Sequence, residues 1–443
     1  MSAGTGIEIL RASIFHTPGN PFLDSRALQH FADGGLAIDG GRILACDDYR
    51  TLAAAWPDAT VRDLRGSFLT PGFIDTHIHF PQARIIGALG YSLLDWLEQI
   101  TLPEEARLAD AAYAVTIAEE FVRALAAHGT TSALVFGSHF APATGALFEA
   151  ARRQGLRITS GLVMADRNLR PELHQTPEDA YRESRTLIER FEGCGRLTYA
   201  VTPRFALSAS EAMLEVCTAL LESAEGLRFT THINESLAEV EHVRQLFPWA
   251  PDYLSVYERY KLIGRRSVLA HNIHASDDEM ERISVCGATV SHCPGSNTAL
   301  GSGIFPLARH VERGVRCALG TDIGGGTGFG MIKEALMAHL MQRVAARPFT
   351  LSAAMMLYLA TRAGAEALAL DEETGDFAAG KAADFVVIRP APDSDLSHRL
   401  IRTETPEQIL AALFTLATDA AIAEVRVAND VAFSRSTPFS RSA

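Results

Sequence analysis

Residues 71–82 read PGFIDTHIHFPQ, and this stretch indicates the fold more strongly than any other part of the chain. Its centre, residues 73–80, is a run of strand length that a Pro-Gly pair precedes. Within the run, His77 and His79 stand two positions apart, and residues two apart on a strand point to the same face. Taken alone the pair is a weak signal, because two ordinary polar residues at a strand end have the same spacing.

Seven similar runs follow along the chain. The eight candidate strands are 73–80, 133–137, 157–164, 197–205, 228–235, 267–274, 288–294 and 315–322. Segments with helical patterns separate them: residues 104–128 have an apolar face and stop at Gly129, and Ser208 with Glu211 forms a capping-box pattern that predicts a helix start. Eight short strands alternating with helices predict a closed (β/α)8 TIM-type barrel of the α/β class.

Both ends of the chain have strand-like sequence of another kind. Asp39-Gly40-Gly41 separates two short strand patterns and predicts a hairpin turn. Near the other end, residues 375–388 and 422–427 contain compact β runs. We therefore predict a small β-sandwich domain that is built from both ends of the chain, residues 1–70 and 371–443. Residues 71–370, which lie between these two segments in the sequence, form the barrel. Residues 434–443 have the character of a frayed tail.

Polar residues recur near the carboxyl ends of the later candidate strands. They are His232 and Glu235, then His271 and His274, then Asp322. The carboxyl ends of barrel strands form the rim on which active sites lie. Each residue alone is compatible with an ordinary hydrogen-bonded side chain, but histidines and an aspartate on separate strands indicate a divalent transition-metal site. Such an ion lowers the pKa of bound water towards about 7, and a nearby carboxylate can move the proton.

The charge and the cysteine pattern of the chain make a nucleic-acid partner and a thiolate zinc site unexpected. The net charge is −13, so the surface repels phosphate backbones and a nucleic-acid polymer is not expected to bind. The six cysteines form no C-x-x-C pair, which is typical of a reduced cytosolic protein without a thiolate zinc site. We expect no signal peptide and no membrane span, and we predict a cytoplasmic location with a small molecule as the partner.

At these positions the chain resembles the amidohydrolase superfamily, whose first-strand motif is similar to the H-x-H that follows PGFID. The FPQ extension at residues 80–82 resembles the guanine deaminase family in particular. Further stretches are similar to that family in the same order: LDWLE at 94–98, TPRF at 202–205, THINE at 231–235, HNIH at 271–274 and LGTDIGGGT at 319–327. The resemblance covers nearly the whole chain. Gly295 departs from it, because a polar or larger residue is expected there.

The resemblance implies a ligand set for one zinc ion per subunit: His77, His79, His232 and Asp322. It implies catalytic roles for Glu235 as the proton shuttle, for His271 beside the metal, and for Asp322. Iron or manganese suits the same nitrogen and oxygen donors, so the residue types alone leave the metal open.

The resemblance also implies that guanine is bound by Gln82, Arg204 and Phe205. An amide such as Gln82 has a donor and an acceptor and can bind a mixed edge, whereas Arg204 has only donors and suits the acceptors O6 and N7. Phe205 either stacks on the ring or fills the core at the strand end. A homodimer is a further implication of the family.

Our hypothesis for the reaction is hydrolytic deamination of guanine in purine catabolism. Asp322 takes a proton from water, the oxygen attacks C2, Glu235 protonates N3, and ammonia leaves to give xanthine. Glu235 therefore needs a raised pKa. Two alternatives stay open: a related hydrolase that deaminates or dechlorinates another heterocycle, and a barrel that serves as a non-enzymatic scaffold.

Overall fold

The structure is a computed structural model, and it describes residues 6–435. Residues 1–5 and 436–443, which the predicted small domain and the predicted tail include, lie outside the described residues. The strands in chain order are β1 Glu8–His16, β2 Gln29–Asp39, β3 Arg42–Asp48, β4 Thr60–Pro71, β5 Phe73–His79, β6 Thr130–Phe136, β7 Arg157–Gly161, β8 Val163–Met164, β9 Leu197–Pro203, β10 Arg228–Ile233, β11 Ser267–His271, β12 Thr289–His292, β13 Arg316–Leu319, β14 Phe385–Ile388, β15 Ile422–Val427 and β16 Asp430–Ser434.

The helices lie mostly between the barrel strands. In chain order they are α1 Tyr49–Ala55, α2 Leu93–Trp96, α3 Leu102–Ala106, α4 Ala111–Ala127, α5 Ala141–Gln154, α6 Pro177–Phe191, α7 Glu211–Ser223, α8 Leu237–Leu246, α9 Tyr253–Arg259, α10 Asp277–Cys286, α11 Pro294–Ala299, α12 Leu307–Glu312, α13 Met331–Val344, α14 Ala353–Ala360, α15 Arg362–Ala367, α16 Asp395–Leu400 and α17 Pro406–Leu416. No helix within residues 6–435 combines the length and the apolar character that crossing a bilayer requires.

The predicted barrel is confirmed. Strands β5, β6, β7, β9, β10, β11, β12 and β13 pair in this order, in parallel wherever register is defined. The barrel closes beyond the end of β13, where the N–H of Asp322 donates to the carbonyl of His77 and the N–H of His79 donates to the carbonyl of Ile323. β6 is buried along its whole length, as expected for a parallel strand covered on both faces.

The small β domain from both chain ends is also confirmed, but its strands form one mixed sheet, with the order β16-β15-β14-β4-β1-β2-β3, where a sandwich of two sheets is predicted. The predicted hairpin joins β2 to β3, with positive φ at Gly40 and Gly41. Arg157 of β7 pairs with the buried carboxylate of Asp384 at 2.7 Å and so links the barrel to the residue before β14. The domain boundaries at 70 and 370 stay a prediction.

Three local predictions are wrong in detail. The third barrel run is two strands, because the N–H of Leu162 donates to the hydroxyl of Tyr199 instead of to a neighbouring strand. The helix predicted over 104–128 is interrupted before α4, where the Asp110 side chain accepts from the N–H groups of Ala112 and Tyr113.

The third difference concerns the start of α7. Ser208 lies in a 3-10 turn, and the side chain that accepts from the N–H of Met213 at the helix start belongs to Ser210. The capping pattern that begins at Ser208 is therefore two residues too early. The same Ser210 hydroxyl also donates to Asp166, which fixes the turn before the helix.

Candidate active site

Four side chains meet at the rim of the barrel, and we call them the donor cluster: His77, His79, His232 and Asp322. Nε2 of His79 lies 3.2 Å from Nε2 of both His77 and His232. Oδ1 of Asp322 lies 3.3 Å from Nε2 of His77 and 3.2 Å from Nε2 of His79. One ligand atom from each residue lies within 4.8 Å of the other three. The ends of β5, β10 and β13 therefore bring the predicted metal ligands to one point.

The donor cluster fits a divalent transition-metal ion. Burial lowers the pKa of His77 to about 4 and the pKa of His232 well below its usual value, so both imidazoles are neutral and offer a lone pair. Nδ1 of His232 lies 2.6 Å from the carbonyl oxygen of Arg204, and a proton donated there leaves Nε2 free to bind an ion. Three imidazole nitrogens and one carboxylate oxygen are a set that zinc accepts.

Two carboxyl groups, one beside the donor cluster and one within it, have pKa values that are shifted in opposite directions. Burial and the negative charge of Asp322 raise the pKa of Glu235 well above its usual value. Burial also opposes the charge on Asp322, but the close contacts of its Oδ1 with His77 and His79 hold the pKa of Asp322 well below its usual range. A neutral carboxylic acid beside an ionised carboxylate is the arrangement that acid–base catalysis requires.

His271 lies between these two carboxyl groups. Its Nε2 is 3.5 Å from Oε2 of Glu235 and 3.8 Å from Oδ2 of Asp322. Its Nδ1 is 2.9 Å from Oδ1 of Asn297, which accepts the Nδ1 proton. Nε2 is buried and has no hydrogen-bond partner among residues 6–435, so it is available to a reacting group. The Ser302 hydroxyl completes this corner by donating to Oε1 of Glu235 at 3.3 Å.

The backbone at this rim adopts conformations that are uncommon for residues with a Cβ. φ is +51° at Asn234, +70° at His271 and +51° at Asp322. Each of these residues ends or closely follows a barrel strand. Left-handed backbone of this kind is costly, and it clusters at functional sites where the surrounding structure holds it.

A second buried group, which we call the side wall, comprises Gln82, Glu105 and Arg204. Glu105 accepts hydrogen bonds from Nη1 of Arg204 at 2.7 Å and from Nε2 of Gln82 at 2.8 Å. Oε1 of Gln82 accepts from the N–H of Gly324 at 2.9 Å. The structure therefore joins the two polar residues predicted to bind substrate through a carboxylate that the sequence analysis did not single out.

The sequence does contain an indication that the carboxylate of Glu105 is buried and paired. Glu105 and Leu108 stand three apart in the segment predicted to be helical, and Leu102 precedes that segment at the same spacing. In a helix the three residues share one face. All three side chains are buried. A carboxylate on an apolar helical face indicates a buried partner, because Glu is almost never fully buried unpaired.

Comparison with known proteins agrees with this geometry. The profile of the amidohydrolase family matches residues 68–430. A protein named probable guanine deaminase from Deinococcus radiodurans is 54% identical over 97% of this chain and 99% of its own length. The guanine deaminase of Escherichia coli is 37% identical over 98% of this chain and 100% of its own length. The chain belongs to the amidohydrolase family, in its guanine deaminase group. The crystal structure of guanine deaminase from Bradyrhizobium japonicum superposes with a TM-score of 0.93 at 34% identity, covering 97% of this chain and 100% of that chain.

In this member of the amidohydrolase family, the open space at the rim has two parts. An inner pocket of about 20 Å³ lies against the donor cluster, and an outer cleft of about 640 Å³ opens beside it. Leu97, Arg204 and Phe205 border both. One water molecule needs roughly 10–15 Å³ of such space, so the inner pocket has room for about one water. A purine can enter only if the bordering side chains move.

Three further histidines near the rim, His139, His274 and His292, lie outside the donor cluster. Nε2 of His139 is 3.3 Å from Oε2 of Glu105, behind the side wall. Nε2 of His274 donates to the carbonyl of Ser302 at 2.9 Å. His292 stacks on Phe305, with ring centroids 4.4 Å apart. These contacts give the three residues packing or supporting positions.

A second group of possible ligands, His77, His271 and Cys293, also has its ligand atoms within 4.8 Å of one another. It shares His77 with the donor cluster. Burial and the negative charge of Asp322 raise the pKa of the Cys293 thiol well above its usual value, so the sulfur stays protonated. The donor cluster offers four candidate ligands and the second group three, so the donor cluster is the more complete metal site.

The departure from the family pattern at Gly295 has a local cause. The N–H of Gly295 donates to Oε2 of Glu334 at 2.9 Å, and a Cβ at this position would lie 2.6 Å from Oε1 of Glu334. Glu334 is fully buried, so its carboxyl group has little room to retreat. A glycine at position 295 therefore leaves the space that the buried carboxyl group of Glu334 occupies.

Proposed function

We propose that this enzyme hydrolyses guanine at C2 and releases xanthine and ammonia. The observation that carries the proposal is the position of the side wall beside the donor cluster. Guanine is neutral, planar and rich in donors and acceptors at its edges, and the side wall presents an amide and a guanidinium at the rim. The relatives named guanine deaminase support the same substrate.

We further propose that His77, His79, His232 and Asp322 hold one zinc ion. When bound, the ion would act as a Lewis acid and lower the pKa of water towards about 7, which makes hydroxide available at neutral pH. The neutral imidazoles and the single carboxylate support this choice of ligands.

The protein's own residues then move the protons. Asp322, ionised, accepts a proton from the attacking water, and protonated Glu235 donates its proton to N3 as the oxygen joins C2. Nε2 of His271 carries no proton because Nδ1 donates to Asn297, so Nε2 accepts a hydrogen bond from the hydroxyl at the tetrahedral carbon. The proton on Asp322 passes to the amino group, ammonia leaves with the C2–N bond pair, and Glu235 regains a proton from the C2 hydroxyl. One water is consumed, and both carboxyl groups return to their starting states.

The substrate is oriented by the side wall and by Phe205. Arg204 donates to O6 and N7, and the remaining N–H of Gln82 reaches the ring edge. Phe205 borders both the inner pocket and the outer cleft, and its ring centroid is 6.1 Å from that of His232. That position at the pocket boundary favours contact with the ring face over a purely core-filling role.

The test is an ultraviolet assay of the conversion of guanine to xanthine, with elemental analysis of the same sample. We expect turnover of guanine and about one zinc per chain. Cytosine, adenine and melamine serve as competing substrates. Rapid loss of one of these with none of guanine would overturn the substrate, and full turnover by metal-free protein would overturn the metal. Absence of both metal and any zinc-stimulated activity would favour the scaffold alternative.

We also propose that this reaction belongs to purine catabolism. We propose further that the enzyme is cytoplasmic and is a homodimer. These statements stay predictions. Gel filtration with light scattering tests the oligomeric state, and a mass of one chain would contradict it.

A further inference from the structure

Glu105 is a buried carboxylate on which three polar side chains converge. Its own side chain and that of Arg204 are 3% and 4% exposed, so bulk solvent does not reach either charged group. Arg204 and Gln82 donate to different oxygens of Glu105, at 2.7 and 2.8 Å, and His139 lies 3.3 Å from one of them. The carboxylate is therefore the centre of the side wall.

This arrangement fixes which end of the Gln82 amide faces which way. Glu105 only accepts hydrogen bonds, so the NH2 group of Gln82 must face it. The N–H of Gly324 only donates, so the amide oxygen must face Gly324. With both ends fixed, Gln82 has one N–H and one lone pair left for a substrate.

Glu105 holds Arg204 in the same way. Burial by itself disfavours the charged form, but the positive charge of Arg204 and the hydrogen bond from His139 together outweigh it and hold the pKa of Glu105 well below its usual range. A planar guanidinium tied at Nη1 has its remaining N–H groups in a fixed direction. An untied arginine would have to be ordered by the substrate, at a cost in binding.

We propose that Glu105 is the positioning residue that sets selectivity for 6-oxopurines, because it fixes the donor pattern of Arg204 and Gln82. The inference rests on guanine being the substrate. Glu105 itself need not touch the purine, and it acts through the two residues that it holds. It should therefore affect substrate binding and selectivity more than the chemical step.

The sharpest variant is Glu105→Gln, which keeps the size and removes one acceptor. Its NH2 group must face a donor, either Arg204 or the amide of Gln82. Turning the Gln82 amide would relieve one clash only by facing its NH2 to the N–H of Gly324. Every arrangement leaves two hydrogen-bond donors facing each other. The side wall therefore cannot keep all of the hydrogen bonds that hold Arg204 and Gln82.

The experiment measures guanine kinetics together with competitive inhibition by hypoxanthine and by unsubstituted purine, which differ in the 6-oxo group. For Glu105→Gln we expect kcat/KM for guanine to fall about 100-fold, mostly through KM, as for a substrate clamp misplaced by about 1 Å. The inhibition constant of hypoxanthine should rise by about 10-fold or more, and that of purine by less than about 3-fold, since hypoxanthine alone offers O6 to Arg204.

Glu104→Gln is the matched control. Glu104 is the preceding residue of α3, and it binds Arg107 and Tyr113 outside the site. It should leave the kinetics and both inhibition constants unchanged. Glu105→Asp, which keeps the charge but shortens the reach, should give the same selective pattern more weakly, and it provides the test should the glutamine variant not fold.

The outcomes separate the inference from the proposed function. Equal loss of hypoxanthine and purine binding, or no loss of either, would overturn the role of Glu105 while the wild type still converts guanine. A wild type that converts no guanine would overturn the proposed function instead. Metal content should be the same in all variants, because Glu105 is not in the donor cluster.

Discussion

The donor cluster and the side wall are built by different means, although they lie at the same rim. The donor cluster comes from the ends of barrel strands, whose spacing the closed sheet sets. The side wall comes from a turn after β5, a short helix and the residue after β9. Barrel geometry therefore fixes where an ion binds, whereas the connecting segments decide which molecule is presented to it.

The largest expected effect tests the donor cluster. Asp322→Asn keeps the size but removes both a ligand charge and the proton acceptor, so we expect kcat to fall by about 10⁴-fold, with reduced metal content. The measurements are guanine turnover and elemental analysis on the same preparation. Retention of a tenth of the activity would contradict both roles of Asp322.

A smaller loss should follow from removing the acid while keeping the metal. Glu235→Gln cannot donate an acidic proton, and we expect kcat to fall by about 10³-fold with unchanged metal content. Because the pKa of Glu235 is raised, the protonated form persists above pH 4.5 and activity should decline as pH rises through that raised value. Near-normal turnover by the variant would rule out the proton-shuttle role.

The same contrast explains what the sequence could and could not predict. The strands that carry His77, His79 and His232 show the apolar runs and two-residue alternation that a strand requires, so their convergence follows from the barrel. Glu105 depends on how residues 80–109 fold into a turn, a 3-10 turn and short helices, including a π-helix at Leu97–Thr101. Periodicity does not specify such segments, and the helix expected over 104–128 in fact divides at Asp110.

The side wall should respond differently from the donor cluster. Arg204→Lys keeps the charge but loses the planar fork, so we expect KM for guanine to rise by about 10- to 30-fold with little change in kcat or metal content. Steady-state kinetics with metal analysis checks this. Arg170→Lys is the control, because Arg170 lines only the outer cleft and pairs with Glu172. A fall in kcat as large as that of Glu235→Gln would remove the distinction between the two regions.

The smallest expected effect concerns the support behind the donor cluster, where Glu239 accepts from the N–H of Glu235 at 2.9 Å and from the hydroxyl of Tyr253 at 2.6 Å. Burial raises the pKa of Glu239 to about 7. The folded state therefore favours the neutral form. The contribution of Glu239 to stability is fully present below its unfolded pKa of about 4.5 and is lost as pH rises towards 7.

Glu239→Gln mimics the neutral form, so the variant should lose this pH dependence. Between pH 5 and 7, the unfolding free energy of the wild type should fall relative to that of the variant by at most about 1.4 kcal/mol per pH unit. Urea denaturation at pH 5, 6, 7 and 8 measures the difference, in which losses of metal common to both proteins cancel. Glu241→Gln, on the exposed face of the same helix, should run parallel to the wild type because the pKa of Glu241, lowered to about 2 by its hydrogen bond with Arg244, lies below this range. If Glu239→Gln also runs parallel to the wild type, the carboxyl behind Glu235 is ionised throughout, and the rim is then supported by charge rather than by a neutral acid.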